Sequence, residues 1–258
     1  MDYRDDAPVS GAHEVILDTS SPPSDLDGLR ALDGVAVDAL QVLCRALRVE
    51  QADLEGTLDA VVRSATAAVP AAEHAGLNLL VRGHFEPQAT VGEAPPPLDA
   101  LQQRTGSGPC IDASRDQVTI QIGDMRTEGR WANFARAAVD LGVHAMLCVP
   151  LWVDDRRMGS LSLYASVAEA FDGGAARLAE LYATHAALAL FEAQRVDQMQ
   201  RAIESRDIIG QAKGVLMCRL QITAEQAFDV LKRASQTRNR RLVDVAELVA
   251  ATGEVSAS

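Results

Sequence analysis

An apolar seam that begins near Gly174 restricts the fold more than any other feature of the chain. Leu178, Leu181, His185 and Leu188 follow three- and four-residue spacing, and Val196, Met199 and Ile203 resume it. Val196 stands eighteen residues after Leu178, five turns at about 3.6 residues per turn, so the spacing predicts one helix of about eight turns with Phe191 at the seam's edge. The first half is expected to pack on a preceding domain. The second half carries Glu192, Gln194, Arg195, Gln198 and Gln200 around a thin apolar line, and reads as a connecting helix or one strand of a dimeric coiled coil. With 258 residues, and about 100–200 residues per domain, one or two domains are expected.

Ahead of the seam the pattern alternates between two periods. Residues 1–30 are loop-like, with Ser20-Ser21-Pro22-Pro23-Ser24 and one apolar run at Val15-Ile16-Leu17, and are expected to be a disordered tail. Val37, Leu40, Leu43 and Leu47 suggest a helix over Val35–Leu47. Leu54, Leu58, Val61, Val62 and Ala65 suggest another over Leu54–Val69, ended by Pro70. Ala75–Val81 and Phe85–Val91, separated by Arg82-Gly83-His84, predict a β-hairpin. A short helix around Leu98–Arg104 and a loop at Gly106-Ser107-Gly108-Pro109 come next. Val118–Ile122 alternates and is β-branched, hence a strand. Trp131–Leu141 reads as a helix stopped by Gly142. Ala145–Val153 and Met158–Tyr164 are expected to pair across a turn at Asp154–Arg157. Five or six short strands flanked by helices make an α+β domain with an antiparallel sheet.

Beyond the seam three short helices are expected. Asp207–Leu220 carries Ile208, Ile209, Ala212, Val215 and Leu216. Thr223-Ala224-Glu225-Gln226 has the form of a capping box opening a helix to about Arg238, with Ala227, Phe228, Val230, Leu231 and Ala234 as its apolar face. Asn239 sits in a turn, and Arg241–Ala251 forms the last helix. Each is too short to be stable alone, so the three are expected to form one unit.

Charge separates this unit from the rest. The formal net charge of −12 argues against a nucleic-acid partner, since phosphate affinity comes from Lys and Arg. Residues 201–250, however, hold nine basic and six acidic side chains and both lysines, a net +3 against −15 for the remainder. Such asymmetry hints at nucleic-acid contact, although a solvated helical face produces the same count.

Other classes are disfavoured. Cys44, Cys110, Cys148 and Cys218 are far apart, with no CxxC pair, which argues against structural zinc and a disulfide framework. A Gly-Ser-Gly-Pro-Cys turn presenting Cys110 to a ligand or oxidant is weighed against a plain structural turn, and the turn is favoured. His144 and His185 as haem or metal ligands are weighed against packed or exposed histidines, and the latter are favoured. No cofactor is expected. The polar, acidic start of the chain and the lack of a spanning apolar run predict a cytoplasmic protein with no membrane partner. No Walker loop, GxSxG elbow or HExxH pair occurs, and no enzyme activity is expected.

The string Ser205-Arg206-Asp207-Ile208-Ile209-Gly210-Gln211-Ala212-Lys213-Gly214-Val215-Leu216-Met217 resembles the start of an ANTAR domain. Ala227–Gln236, Asn239 and Leu242–Ala246 resemble its remainder in order and spacing, and polar positions match as well as core ones. The chain departs at Gln221-Ile222, where that family often has a Gly-containing link, and at Arg241, where Lys is frequent. The region of about 38–194 is similar to a GAF sensory domain of the kind fused to ANTAR in actinobacterial regulators. Gly106–Cys110, Asp124-Met125, Arg130-Trp131, Gly142-Val143, Val149–Leu151, Gly159–Tyr164 and Ala170-Phe171 carry that likeness. The Asn-Lys-Phe-Asp-Glu pattern of cyclic-nucleotide GAF domains is missing, so that ligand is not expected.

The resemblance implies a GAF-like (PAS-like) α+β domain over 31–192, a long helix or coiled-coil linker over 174–206, an all-α three-helix ANTAR domain over 195–252 and a tail over 253–258. It implies an antitermination regulator that binds paired RNA stem-loops in nascent transcripts, as a homodimer, with an unidentified small molecule as the possible signal at the GAF domain. The rival classes are a protein- or DNA-binding adaptor and a haem or redox sensor with another output. RNA contact needs cations for phosphate and polar groups for loop bases. On the first helix of the unit Arg206, Gln211 and Lys213 are the candidates, and Gln211 and Lys213, two positions apart, cannot point the same way. On the second, Lys232, Ser235, Gln236 and Asn239 form one stripe that Arg233, Arg240 and Arg241 extend. Phe228 is expected in the core, leaving no aromatic for stacking, and Gly214 is expected to permit close helix packing. The acidic body is expected to repel RNA or mask the positive end until a signal arrives.

Overall fold

A computed structural model describes residues 53–69 and 71–254. The expected tail of residues 1–30, the run at Val15–Leu17, the helix over Val35–Leu47, Cys44 and Pro70 lie outside the described residues, as does the chain from residue 255 onward.

Helix α1 (Leu54–Ala68) starts where Asp53 accepts the backbone N–H of Gly56 at 2.8 Å, a side-chain oxygen satisfying a donor the first turn leaves free. Strands β1 (His74–Val81) and β2 (His84–Val91) form the expected hairpin. Helices α2 (Pro95–Thr105) and α3 (Pro109–Asp116) precede β3 (Ile120–Ile122). Helix α4 (Ala132–Asp140) leads to β4 (Ala145–Val153) and β5 (Arg156–Ala165). The five strands form one antiparallel sheet in the order β2-β1-β5-β4-β3.

Two segments differ from the sequence expectation. The expected Gly106–Pro109 loop is a three-residue link, Gly106–Gly108, between helices: Gly106 closes α2 in the left-handed region (φ 64°), and Pro109 opens α3 in its first turn. Eight residues offer too few repeats for α3 to show a helical period. The turn expected over Asp154–Arg157 shrinks to Asp154-Asp155, so β5 begins at Arg156.

Both faces of the sheet are covered, which explains why β4 and β5 are buried along nearly their whole length. On one face Leu77, Leu147, Val149, Leu151, Leu161 and Leu163 meet α1 and α5 (Gly173–Leu220). On the other, Met146, Cys148 and Tyr164 meet Leu98, Cys110 and Phe134 from α2, α3 and α4.

Helix α5 corrects the expectation twice. It runs unbroken for 48 residues, so the connecting helix and the first short helix of the terminal unit are one element. No helix starts at Asp207; the caps of α5 are Asp172, which accepts from Ala175 N at 2.8 Å, and Gln221. The residues α5 buries fully against the sheet are Ala175, Ala179, Tyr182, Ala183, Ala186, Ala187 and Leu190, whereas of the leucine seam only Leu178 packs there, and partly. Alanine lets the helix lie close to the sheet. The larger side chains Leu188, Val196, Met199 and Ile203 are 49–60 % exposed on the opposite side. The last turns of α5 bury Ala212 and Leu216 against α6 (Ala224–Arg238) and α7 (Leu242–Thr252), with Ala227, Leu231, Val245, Ala246 and Val249. The Thr223 capping box is present: Thr223 N donates to Gln226 Oε1 (2.9 Å) and Gln226 N to Thr223 Oγ1 (3.3 Å).

One buried polar contact ties α5 to α1. The Tyr182 hydroxyl lies 2.6 Å from Val61 O and 2.6 Å from Ser64 Oγ. Removing the hydroxyl while keeping the ring isolates this contribution. Tyr182→Phe is expected to lower stability by about 1 kcal/mol, read as a lower midpoint in urea with an unchanged slope.

Candidate functional site

Two regions combine geometry with chemistry. The first lies inside the sheet domain. Asn78 of β1, Asp99 and Gln102 of α2, and Ser160 and Ser162 of β5 are buried together with Cys110, Cys148 and Tyr164. Gln102 ties α2 to α3, accepting Cys110 N at Oε1 (2.9 Å) and donating from Nε2 to Cys110 Sγ (3.0 Å). A Cβ at Gly108 would collide with the Gln102 side chain, which explains glycine in that turn. Cys110 Sγ contacts Ser162 Oγ (3.0 Å), and Ser162 Oγ donates to Cys148 Sγ (3.3 Å). Burial pushes the Cys110 thiol well above its ordinary range. It is an inaccessible neutral thiol, the environment of a structural cysteine rather than a reactive one.

Asp99 is the most perturbed carboxyl of this cluster. Burial drives its pKa up to about 6, and the Asn78 Nδ2–H that it accepts at 3.0 Å pulls only partly the other way. Asp99 Oδ2, Ser160 Oγ and Tyr164 OH have no hydrogen-bond partner among the described residues. Nearer the surface, a cleft of about 670 Å³ opens between the β1–β2 hairpin and α2–α3, lined by Leu80, His84, Phe85, Gln103, Ile111 and Arg157 among others. His185 Nδ1 lies 2.9 Å from Leu181 O within α5, and His144 Nδ1 is buried without a partner among the described residues. Among the described residues no group of three His, Cys, Asp or Glu side chains is placed to hold a metal ion.

The second region is the helical end. Among the described residues, Arg195, Arg201 and Arg241 have carboxylate partners in Glu192, Asp197 and Asp244, whereas Arg206, Lys213, Lys232, Arg233 and Arg240 have none within 4.0 Å. Arg241 grips Asp244 with two hydrogen bonds (3.1 and 2.6 Å), which occupies its guanidinium at the start of α7. The Ser235 hydroxyl donates to Arg240 O at 2.6 Å, and Asn239 closes α6 in the left-handed region (φ 50°), so both positions have local structural reasons. Arg233 Nε donates to Asp229 O (3.3 Å) within its own helix. Gln211 is exposed, and its two-residue offset from Lys213 puts it on a different face of α5.

What the sequence reading missed is Phe228. It is 37 % exposed rather than in the core. It stands across a groove from α5, where Arg206, Gly210 and Lys213 line the other wall, with Lys213 Nζ 6.0 Å from the ring centroid. Phe228 also heads the α6 stripe, since Lys232, Ser235, Gln236 and Asn239 follow at helical spacing. The lone aromatic in a charged helix was the available signal. Gly214 is a further correction: a Cβ there would meet nothing within 4 Å, so it permits no close helix packing among the described residues.

A GAF domain model matches residues 51–190, and an ANTAR domain model matches residues 197–249. The chain belongs to the GAF family and carries an ANTAR domain after its GAF domain. Both are regulatory domain types, the GAF domain for signal sensing and the ANTAR domain for antitermination through RNA. Among curated proteins no relative matches. Solved structures support the fold of the GAF domain. The GAF domain of an Acinetobacter phosphoenolpyruvate-protein phosphotransferase is 14% identical, with a TM-score of 0.50 over 65% of this chain and 99% of that one. The GAF domain of the Coxiella burnetii phosphoenolpyruvate-protein phosphotransferase is 20% identical, with a TM-score of 0.50 over 63% and 98%. Free methionine-R-sulfoxide reductase from Neisseria meningitidis is 17% identical, with a TM-score of 0.50 over 64% and 96%. At such identities the likeness extends to the fold alone.

The buried Asp99 of this GAF domain makes stability depend on pH in a defined direction. Its folded pKa of about 6 lies above that of an unfolded aspartate, so the folded state holds a proton the unfolded state has lost. The penalty is absent below pH ~4, grows between pH ~4 and ~6 and is complete above ~6. Asp99→Asn keeps an acceptor for Asn78 and cannot ionise. It is expected to be more stable than the parent by about 2–3 kcal/mol at pH 7.5, with the gap closing toward pH 4 in parallel denaturation curves.

Proposed function

We propose that this GAF–ANTAR protein is a cytoplasmic, non-enzymatic transcription regulator that binds paired stem-loops in nascent RNA through its helical end and so favours antitermination. The observation that carries this reading is a set of unpaired cations on the one positive segment of an acidic chain, inside the ANTAR match. Arg206 and Lys213 on α5 and Lys232, Arg233 and Arg240 on or just after α6 supply phosphate contacts; Gln211, Gln236 and Asn239 supply hydrogen bonds to loop bases. Ser235 and Arg241 support the geometry from within, through the local bonds described above. No helix among the described residues is long and apolar enough to cross a membrane.

A second copy of this chain is the partner we propose for the outward seam of α5. Leu188, Val196, Met199 and Ile203 face away from both cores of their own chain. The resemblance to dimeric antiterminators supports the same occupant, and two paired chains present two RNA-binding ends to two stem-loops. The sensory input is assigned to the 670 Å³ cleft of the GAF domain, whose volume suits a small molecule. Coupling requires that the signal bind one dimer arrangement better than another.

Two measurements test this reading. In electrophoretic shift titrations the full chain is expected to prefer paired-hairpin RNA to single-hairpin RNA and to duplex DNA; preference for DNA, or no RNA binding in any state, refutes it. Lys232→Ala with Arg240→Ala is expected to weaken binding and reduce the slope of log affinity against log salt by about 2, at about 0.7–0.9 per phosphate contact. Separately, Met199→Glu with Ile203→Glu places charge on the seam without touching either core. Native mass spectrometry is expected to show a folded monomer in place of a dimer.

A further inference from the structure

We propose that the groove between α5 and α6 receives one unstacked nucleobase of an RNA loop, with Phe228 as the stacking face and Arg206 and Lys213 holding the phosphates beside it. The inference rests on the RNA reading above and gives it a specific receptor. Three independent observations converge on the groove, which measures about 440 Å³.

The first is Phe228 itself, a large apolar ring 37 % exposed on a short helix whose buried face is made by Ala227 and Leu231. An aromatic ring offers any base a flat surface, and stacking is the usual way proteins hold bases splayed from a loop. The second is Gly210. Glycine inside a helix weakens it relative to alanine, and here a Cβ would meet nothing within 4 Å. Nothing among the described residues explains the missing side chain, while a ligand lying along the α5 backbone does. The third is charge. Arg206 and Lys213 stand one turn before and one turn after Gly210 and have no carboxylate within 4.0 Å among the described residues, whereas Arg195 and Arg201, farther up the same helix, are paired.

These features favour a polyanion over a protein chain. Phe228 leads directly into Lys232, Gln236 and Asn239 along α6. A strand leaving the groove therefore passes onto the cationic stripe, so that base and backbone are held along one continuous path.

The test uses the full-length protein and paired-hairpin RNA in which each loop base in turn is replaced by an abasic site. The expected result is one loop position whose base contributes about tenfold in affinity to the parent protein. Phe228→Leu should lose the same tenfold on intact RNA, lose nothing further on that abasic RNA and keep the parent salt slope. Gly210→Ala, which cannot open the core, should raise the melting temperature yet lower RNA affinity; it decides the matter if Phe228→Leu misfolds. Parent-like binding of intact RNA by both variants overturns the proposal, as do losses from Phe228→Leu and the abasic site that multiply. A change in dimer dissociation in place of RNA affinity also overturns it, reassigning the groove to a protein contact. Failure of the parent to bind any hairpin removes the RNA reading itself, an outcome distinct from the others.

Discussion

Helix α5 belongs to two hydrophobic cores at once, and the arrangement of the chain depends on that sharing. Its first half closes the sheet of the GAF domain through alanines and Tyr182. Its last turns supply Ala212 and Leu216 to the ANTAR core. Between Leu190 and Ala212 no residue of the helix is buried. Only the ends of that span, through the partly buried Phe191, Ile208 and Ile209, draw on packing against the two cores among the described residues. It is held helical by its anchored ends, by helix-favouring side chains and by i,i+3 and i,i+4 pairs such as Glu192–Arg195 and Asp197–Arg201. A second copy on the apolar side would add packing that the described residues do not provide.

Sequence made the elements legible where periods were long or caps explicit. The β1–β2 hairpin, the β4–β5 pair, the Thr223 capping box and the end of α6 at Asn239 were all readable from spacing and turn chemistry. Helix α3 was not, because eight residues hold two turns. The orientation of α5 was not either. Hydrophobic weight placed the leucine seam inward, whereas α5 lies on the sheet mainly through alanines with Tyr182 and Leu190, and Leu188, Val196, Met199 and Ile203 stayed outside. Gln221 shows the same limit in reverse. It departs from the glycine often found in ANTAR domains, yet it ends α5 in the left-handed conformation that glycine favours (φ 53°). The conformation is kept although the residue that makes it easy is gone.

The binding surface was half visible. Cations can be counted in a sequence, but whether each is already engaged cannot. Arg241 and Arg240 are adjacent, and only the fold shows that Arg241 is held by Asp244. The groove has an additional reason to be hidden. It joins Arg206 and Lys213 to Phe228 across a helix junction, and no local pattern reports such a junction. Electrostatics was legible in outline, with a +3 end on a −15 remainder. Exposed charges separated by more than about 8 Å are largely screened at physiological salt. Masking of the positive end by the acidic body would therefore require close approach, not distant repulsion.

The unbroken course of α5 sets a rule for the length of the protein. Each residue added to a helix advances its far end by about 1.5 Å and turns it by about 100°. A single insertion between the two anchored regions would swing the RNA-facing surface a quarter-turn or more relative to the sensory domain and the seam. Additions of seven or eleven residues nearly restore the phase. The spacer lengthens without penalty only in whole steps, which makes its length a quantised trait rather than a continuous one.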